Sequence, residues 1–414
     1  SKLTDMKKIA LLFAVLCCAG IIQAQFVAKN IIYIIGDGMG TTQVYASIVQ
    51  QKGKSNFMRF PVVGFSMTSS LDAYTTDSGA GGTALLTGHK VQNYHIAQSP
   101  EGKPYPSILV QAQQKGKRVG FVVTSSVTDA TPAATYAHVA NRKSKDSISL
   151  QMSQCGFDVM IGGEYNCFLP KYRKDGLNPF DTLKARGYHV SRTVKDMRNH
   201  KEGKLCALLT DESPDLAPLR DTFLAAGTRK AIELLREDSN GFVLMIEGSH
   251  IDKSCHANND TALMAELSEF EAMLGVVLDF AKQDGNTLVV VTADHETGGL
   301  ALPTGNLEKG ESTCKFITNN HTGVMVPVFA YGPQSKAFAG IHENVDIYTL
   351  VKTVLDRTGR MTPLLRGHGK PIRGRGKSTL DRGKSAPARL GGEGGQPMLA
   401  PAEKPSRILT LPQK

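Results

Sequence analysis

The chain lacks a hydrophobic run long enough to hold it in a bilayer. Its longest, Ile9 to Ile22, is too short and too badly flanked for a stable span, which takes about 20 apolar residues. Lys7 and Lys8 precede the run and Ala24 offers a small residue for cleavage before Gln25, so residues 1–24 read as an export signal. A periplasmic or secreted chain without a stable membrane anchor is expected. Cys17 and Cys18 lack the preceding small residue of a lipoprotein signal, and Ser1 to Asp5, ahead of a plausible start at Met6, resemble a cloning scar. Cysteine is also scarce. Of seven, five would remain after cleavage, an odd number that leaves at least one thiol unpaired in an oxidising compartment. Cys155 and Cys167 are close enough in sequence to close a small loop.

No long Pro/Gly linker interrupts Asn30 to Arg360, which argues for one α/β domain over residues 25–360, large enough to bury a sizeable core. That domain also lacks a charge excess. Of the net +10, residues 361–414 hold 11 Lys/Arg against 3 Asp/Glu, a net of +8, so the remainder is near neutral and no specific nucleic-acid partner is expected. The tail is roughly 30% Gly plus Pro with little apolar content, the composition of a disordered segment. It reads as dispensable in preference to a functional polyanion-binding arm.

What the chain does have is a dense set of metal-binding side chains. Glu247, Asp252, His256, Asp294, His295 and His321 mix carboxylate with imidazole, suiting zinc and, where oxygen dominates, magnesium, and they exceed what one ion needs. The first two segments begin where an apolar run ends: Gly241 to Ile246 before Glu247, and Thr287 to Val291 before Asp294. Such runs read as buried parallel strands, whose carboxyl ends are where open α/β sheets place their sites. Asn30 to Ile35 gives Asp37 the same address, between two glycines that allow a sharp turn, although taken alone Asp37 could be a plain strand-to-helix turn. Further strands are expected at Arg118 to Thr124, Phe157 to Ile161 and Leu205 to Leu209.

The nucleophile candidate is Ser78. No Gly-x-Ser-x-Gly elbow surrounds it, so a metal is the better activator of its hydroxyl. The small and apolar residues that follow predict a helix from Ser78 to a stop at Gly88, with its positive end toward the serine oxygen and any phosphate. The competing reading is a simple Asp or Ser cap. Farther on, Pro132 suits a first helical turn with Thr131 as N-cap or ion ligand, and Arg142 falls near the far end of that predicted helix. A guanidinium can grip phosphate through two parallel hydrogen bonds, but a helix C-terminal cation is the bland alternative.

Joined in order, Thr76-Asp77-Ser78-Gly79-Ala80, Asp129-Ala130-Thr131-Pro132, Glu247 with Asp252 and His256, and Thr292-Ala293-Asp294-His295-Glu296-Thr297-Gly298-Gly299 resemble the alkaline phosphatases, metal-dependent phosphomonoesterases, from about Asn30 to the mid-350s. The resemblance implies a three-layer α/β/α sandwich around a mostly parallel sheet. It implies one zinc on Asp252, His256 and His321, the first two spaced i, i+4 on one helical face. A second zinc would take Asp37, Asp294, His295 and the Ser78 oxygen, and a magnesium Asp37, Thr131 and Glu247, with Asp129 acting through a water. Arg142 would hold the phosphoryl oxygens and Lys253 add charge, through a water, during double displacement of small-molecule phosphate monoesters via phosphoserine on Ser78. Where the family shows either Asp and Lys or histidines at the positions of Asp129 and Lys253, this chain has the Asp and Lys pair, which favours magnesium in the third site by its all-oxygen character. The short stretch between His295 and His321 puts a large crown in doubt, and the oligomeric state, a homodimer among the options, stays open.

Rival readings are a phosphodiesterase or sulfatase of the same superfamily and, from another class, a polyanion-binding protein acting through its tail. The Cys/Ser-x-Pro-x-Arg site of sulfatases is absent around Ser78. His89, His95, His189, His200, His342 and His368 match no metal spacing. His138 reads as support for Arg142, and His250 is expected to face away from the ions.

Overall fold

The computed structural model describes residues 27–217, 219–220 and 223–358; the segments read as export signal and basic tail lie outside the described residues. In chain order the strands are β1 (Asn30–Gly36), β2 (Val62–Met67), β3 (Arg118–Ser126), β4 (Val159–Gly163), β5 (Tyr188–Ser191), β6 (Lys204–Leu208), β7 (Phe242–Gly248) and β8 (Thr287–Thr292). They continue with β9 (Glu296–Thr297), β10 (Ala301–Asn306), β11 (Glu311–Lys315), β12 (His321–Thr322), β13 (Val326–Tyr331) and β14 (Gly340–Glu343). Ten of them form one sheet, ordered β14-β2-β13-β8-β1-β7-β3-β4-β6-β5. Every described pairing in it is parallel except those of β13, which runs against both β8 and β2.

The apolar runs dictate the middle of this sheet. β1, β7 and β8 are buried along their whole length, as strands covered on both faces must be. Alternation then splits β1 between two cores: Ile31, Tyr33 and Ile35 face one, Ile32 and Ile34 the other. Helices Ser78–Thr87, Ile108–Gln114, Lys145–Cys155 and Asn344–Arg357 feed the first core, while Thr41–Gln50, Leu224–Leu235 and Asp260–Asp284 feed the second. The result is the expected three-layer sandwich. Among the described residues no helix is long and apolar enough to cross a membrane.

The helix predicted after Ser78 spans Ser78–Thr87, with Asp77 as its cap, accepting from the Ala80 N–H at 2.9 Å. Gly88 ends it at φ 73°, where a Cβ would lie 2.3 Å from the Tyr348 ring. The helix predicted between Pro132 and Arg142 is a correction. It lasts only from Ala130 to Ala133, and its N-cap is Asp129, not Thr131. Tertiary bonds override the Ala-rich stretch: Tyr136 Oη donates to Val127 O at 2.6 Å, His138 Nδ1 meets Ala97 O at 2.7 Å, and Val139 bridges to Ile96. Arg142 therefore lies in a loop, and the helix-end cation is excluded.

The stretch between His295 and His321 is short, as read, and carries the small, largely exposed hairpin β10–β11. Cys155 and Cys167 do not bridge. All five described cysteines are free thiols, with Cys155 Sγ beside Met160 Sδ and Cys167 Sγ donating to Glu164 O.

Candidate functional site

Four neighbouring strands deliver their carboxyl ends to one place. Asp37 follows β1, Glu247 lies in the last residues of β7, Asp294 and His295 follow β8, and Asp129 and Thr131 follow β3. The helix His250–His256 after β7 adds Asp252 and His256, and β12 brings His321 opposite Thr297 of β9. Gly38 makes the approach possible: at φ 72° a Cβ there would sit 2.8 Å from Asp252 Cα, and its N–H donates to Asp294 Oδ1 at 3.2 Å.

In the first cluster, His295 Nε2 lies 3.4 Å from Asp37 Oδ1, 3.3 Å from Asp294 Oδ2 and 3.2 Å from Ser78 Oγ. Ligand atoms of Asp37, Asp294 and His295 all lie within 4.8 Å of one another. Four buried oxygens here lack any hydrogen-bond partner: Asp37 Oδ1, Thr131 Oγ1, Glu247 Oε2 and Asp294 Oδ2. Buried polar atoms are nearly always paired, so four orphans in one pocket are what cation ligands leave behind. Asp37, Thr131 and Glu247 offer only oxygen, which suits magnesium; His295 adds nitrogen, which suits zinc.

In the second cluster, His256 Nε2 and His321 Nε2 face each other at 3.0 Å and reach Asp252 at 3.3 and 3.5 Å. Their Nδ1 atoms donate to Asn319 O at 2.6 Å and Thr76 O at 2.9 Å, which turns both Nε2 lone pairs inward. Two lone pairs that close need a proton or a cation between them. The donor set of both clusters thus fits the metals implied by the resemblance.

Electrostatics separates the clusters. Burial first, then Asp294, Asp252 and Glu247, holds the Asp37 carboxyl well above the usual range. Burial likewise pushes Glu247 up to about 8, with Asp129 and Asp294 adding repulsion, and raises Asp294 to about 6, with Asp252 adding to the effect. Burial and the neighbouring His321 lower His295 to about 3, leaving it neutral. Asp252 behaves oppositely: burial opposes its charge, but hydrogen bonds from His256 and His321 hold it well below the usual value. The bond to Asp252 raises His256 to about 9.

Beside the clusters, Arg142 reaches Asp77 Oδ2 at 3.0 Å and Asp129 Oδ1 at 3.1 Å, and its backbone N–H donates to Tyr94 O. Burial disfavours its charge, but Asp129 and Asp77 keep it protonated. Lys253 Nζ touches His250 and Ser213, and its field reaches Asp129. His250 turns its Nδ1 to Asp215 O at 3.1 Å and its Nε2 to Lys253. Three residues given no place at the site by the sequence reading belong to it. Asp77 both caps the Ser78 helix and orients Arg142; Asn93 Oδ1 accepts from the Asp77 N–H at 3.0 Å; and the Thr297 hydroxyl donates to Asp252 and meets His295 Nδ1 at 3.2 Å. Asp77 and Thr297 stand inside the quoted motifs, so their position was the available signal.

The family model for alkaline phosphatase matches residues 28–313. Alkaline phosphatase 4 of Bacillus subtilis (strain 168) is 29% identical over 80% of this chain and 89% of its own, and the alkaline phosphatase of Escherichia coli (strain K12) 30% identical over 79% and 86%. Among solved structures, the alkaline phosphatase from the Antarctic bacterium TAB5 superposes with a TM-score of 0.74 at 36% identity, over 80% of this chain and 98% of that one. A single-residue mutant of that enzyme was solved with Mg bound in its M3 site. The matched residues take in every motif of the pocket except His321, and with them the chain belongs to the alkaline phosphatase family: it is a metal-dependent hydrolase of phosphate monoesters.

Proposed function

We propose that this phosphomonoesterase works through a phosphoserine on Ser78, with one zinc held by Asp252, His256 and His321, a second by Asp37, Asp294 and His295, and a magnesium by Asp37, Thr131 and Glu247. The four orphaned buried oxygens carry this reading. When bound, the cations supply Lewis acidity, lowering the pKa of the serine hydroxyl and of water and offsetting charge on the phosphoryl oxygens.

The chain's own groups do the rest. Ser78 sits at the N-terminus of its helix, so its oxygen is favoured as an anion and aimed into the pocket. Stripped of its proton, Oγ attacks phosphorus in line; the bond to the leaving oxygen breaks and the alcohol departs with a proton. Water then attacks the phosphoserine, the phosphorus–Oγ bond breaks, phosphate leaves and the serine regains its proton. Arg142, pre-oriented by Asp77 and Asp129, grips two non-bridging oxygens in both steps, and Lys253 adds charge nearby. A metal-free Ser–His pair is disfavoured, because His295 Nδ1 meets a threonine hydroxyl rather than a carboxylate that would orient and charge the ring.

Residues 25–360 form the catalytic unit in this reading, behind an export signal at 1–24 that sends it to a periplasm or beyond, with 361–414 dispensable. Acid quenching during turnover of labelled substrate should trap phosphate on Ser78. A Ser78→Ala variant should lose at least about three orders of magnitude in kcat, the scale of removing a covalent route. Label on another residue, or a variant that keeps its rate, would sink the serine pathway.

A further inference from the structure

The two cations of the pocket are held in different ways. Arg142 is clamped by two carboxylates, whereas the Lys253 ammonium meets two neutral acceptors, His250 Nε2 at 2.9 Å and Ser213 Oγ at 3.2 Å. An ammonium carries three N–H donors. Two are spent here, so one remains, together with a charge that neither neighbour cancels. A carboxylate in place of His250 would fix the nitrogen as firmly and neutralise it.

The imidazole can accept from Lys253 in only one tautomer, and its surroundings select that one. The two protons on one terminal nitrogen of Arg220 are taken by Asp215 O at 2.7 Å and Glu266 Oε1 at 2.6 Å. That nitrogen also lies 3.2 Å from His250 Nδ1 but has no proton left for it, so Nδ1, 3.1 Å from the same Asp215 carbonyl, is the donor to that carbonyl, which leaves the Nε2 lone pair for Lys253. The ring itself is fully buried. Behind it Arg220, its side chain 4% exposed, bridges Glu266 and Glu269 of the long helix Asp260–Asp284, and Glu269 in turn accepts from the Phe223 and Leu224 N–H groups. A lysine on a flexible four-carbon stem is thereby tied to a rigid polar network.

We propose that His250 is a positioning residue: its Nε2 fixes the Lys253 ammonium so that one N–H, and a charge that neither hydrogen-bond partner cancels, remain available to a bound phosphoryl group. This rests on the role given to Lys253 above. The test uses the metal-loaded enzyme, with inorganic phosphate as the competitive probe against p-nitrophenyl phosphate. His250→Ala should raise the phosphate Ki and the KM about tenfold, the scale of one charge-assisted hydrogen bond, with a smaller change in kcat. His250→Gln, whose amide oxygen can still accept from Lys253, should stay within about threefold of wild type. Lys253→Ala should raise Ki at least as much, and adding His250→Ala to it should change nothing further. Ki and KM do not depend on how much of a preparation is folded, so partial misfolding cannot mimic the result. An unchanged Ki in His250→Ala, an equal loss in His250→Gln, or a loss that adds in full to that of Lys253→Ala would overturn the positioning role. An unchanged Ki in Lys253→Ala would instead overturn the reading of Lys253 itself.

Discussion

The carboxylate cluster of Asp37, Glu247 and Asp294 and the imidazole cluster of Asp252, His256 and His321 touch through His295 and Thr297, yet they balance their charge in opposite ways. In the first, three buried acids repel one another and all are pushed upward, with the only imidazole neutral. In the second, His256 takes a proton readily and Asp252 keeps its charge. One half can be quieted by protons on histidine. The other is quieted only by protonating its own acids or by cations, which explains why the four orphaned oxygens of the pocket lie in or beside it.

Metal removal is the harshest way to test that contrast. Exhaustive chelation should abolish turnover, by at least about three orders of magnitude, because His295, the imidazole 3.2 Å from Ser78 Oγ, has no carboxylate on its Nδ1 to make it an effective base in place of the Lewis acid. Zinc plus magnesium should restore it. The apo protein should also melt lower, since ligands that bind only the native state stabilise it by mass action. Full activity on p-nitrophenyl phosphate after chelation and dialysis would remove the proposed mechanism. Next in size is Arg142, which serves neither cluster directly. Arg142→Ala should lower monoester kcat/KM by about two to four orders of magnitude, the range expected for charge-assisted hydrogen bonds in a dry site. Hydrolysis of bis-p-nitrophenyl phosphate should fall far less, because a diester has spent one of the oxygens that Arg142 would grip. Parallel losses on the two substrates would make Arg142 structural.

The site was more legible in the sequence than the sheet around it. Asp37, Glu247 and Asp294 could be placed because each follows an unbroken apolar run, and such runs become strands buried on both faces. β2 and β13 gave no such signal. Val62–Met67 is half exposed and interrupted by Gly64, needed because a Cβ there would lie 2.3 Å from Phe338 O; β13 carries Pro327, a residue that argues against an interior strand. Arg142 was identified for its chemistry but misplaced in structure. The Ala-rich segment before it has helical propensity, and contacts made by Tyr136, His138 and Val139 with distant residues outweighed it. Asp77 and Thr297 were overlooked because a bridging role depends on which side chains the fold brings alongside.

A pH series on the apo enzyme sharpens the contrast at moderate cost. Glu247 and Asp294 are raised in the folded state to about 8 and 6, so their contribution is fully present below the unfolded carboxyl pKa and is lost as pH rises through those values. His256, raised to about 9, follows the same sign from a different cause: its contribution is complete below the ordinary imidazole pKa and disappears through about 9. His295, held at about 3, has the opposite sign and adds stability as pH rises toward the ordinary imidazole value, so apo Tm should fall most clearly between about pH 7 and 9, by several degrees, and the metal-loaded enzyme should lack this slope because the cations hold the acids ionised. An apo Tm that climbs over the same range would mean the acids are not mutually repelling.

The smallest effect separates two threonines. Thr131 Oγ1 has no hydrogen-bond partner in the carboxylate cluster, whereas Thr297 Oγ1 ties Asp252 to His295. Valine matches threonine in shape and removes only the hydroxyl. At Thr131 it takes away a buried group that already lacks its bond, so apo stability should hold or rise by up to about 1 kcal/mol. At Thr297 it leaves Asp252 short of a donor, so apo stability should drop by about 1 to 2 kcal/mol. Activity should reverse the order of concern: Thr131→Val should need more magnesium for half-maximal rate, and Thr297→Val should not. Apo melting curves and a magnesium titration on both variants decide the matter. If Thr131→Val destabilises the apo protein as much as Thr297→Val, its hydroxyl is bonded in the native state and the all-oxygen site loses one of its three proposed ligands.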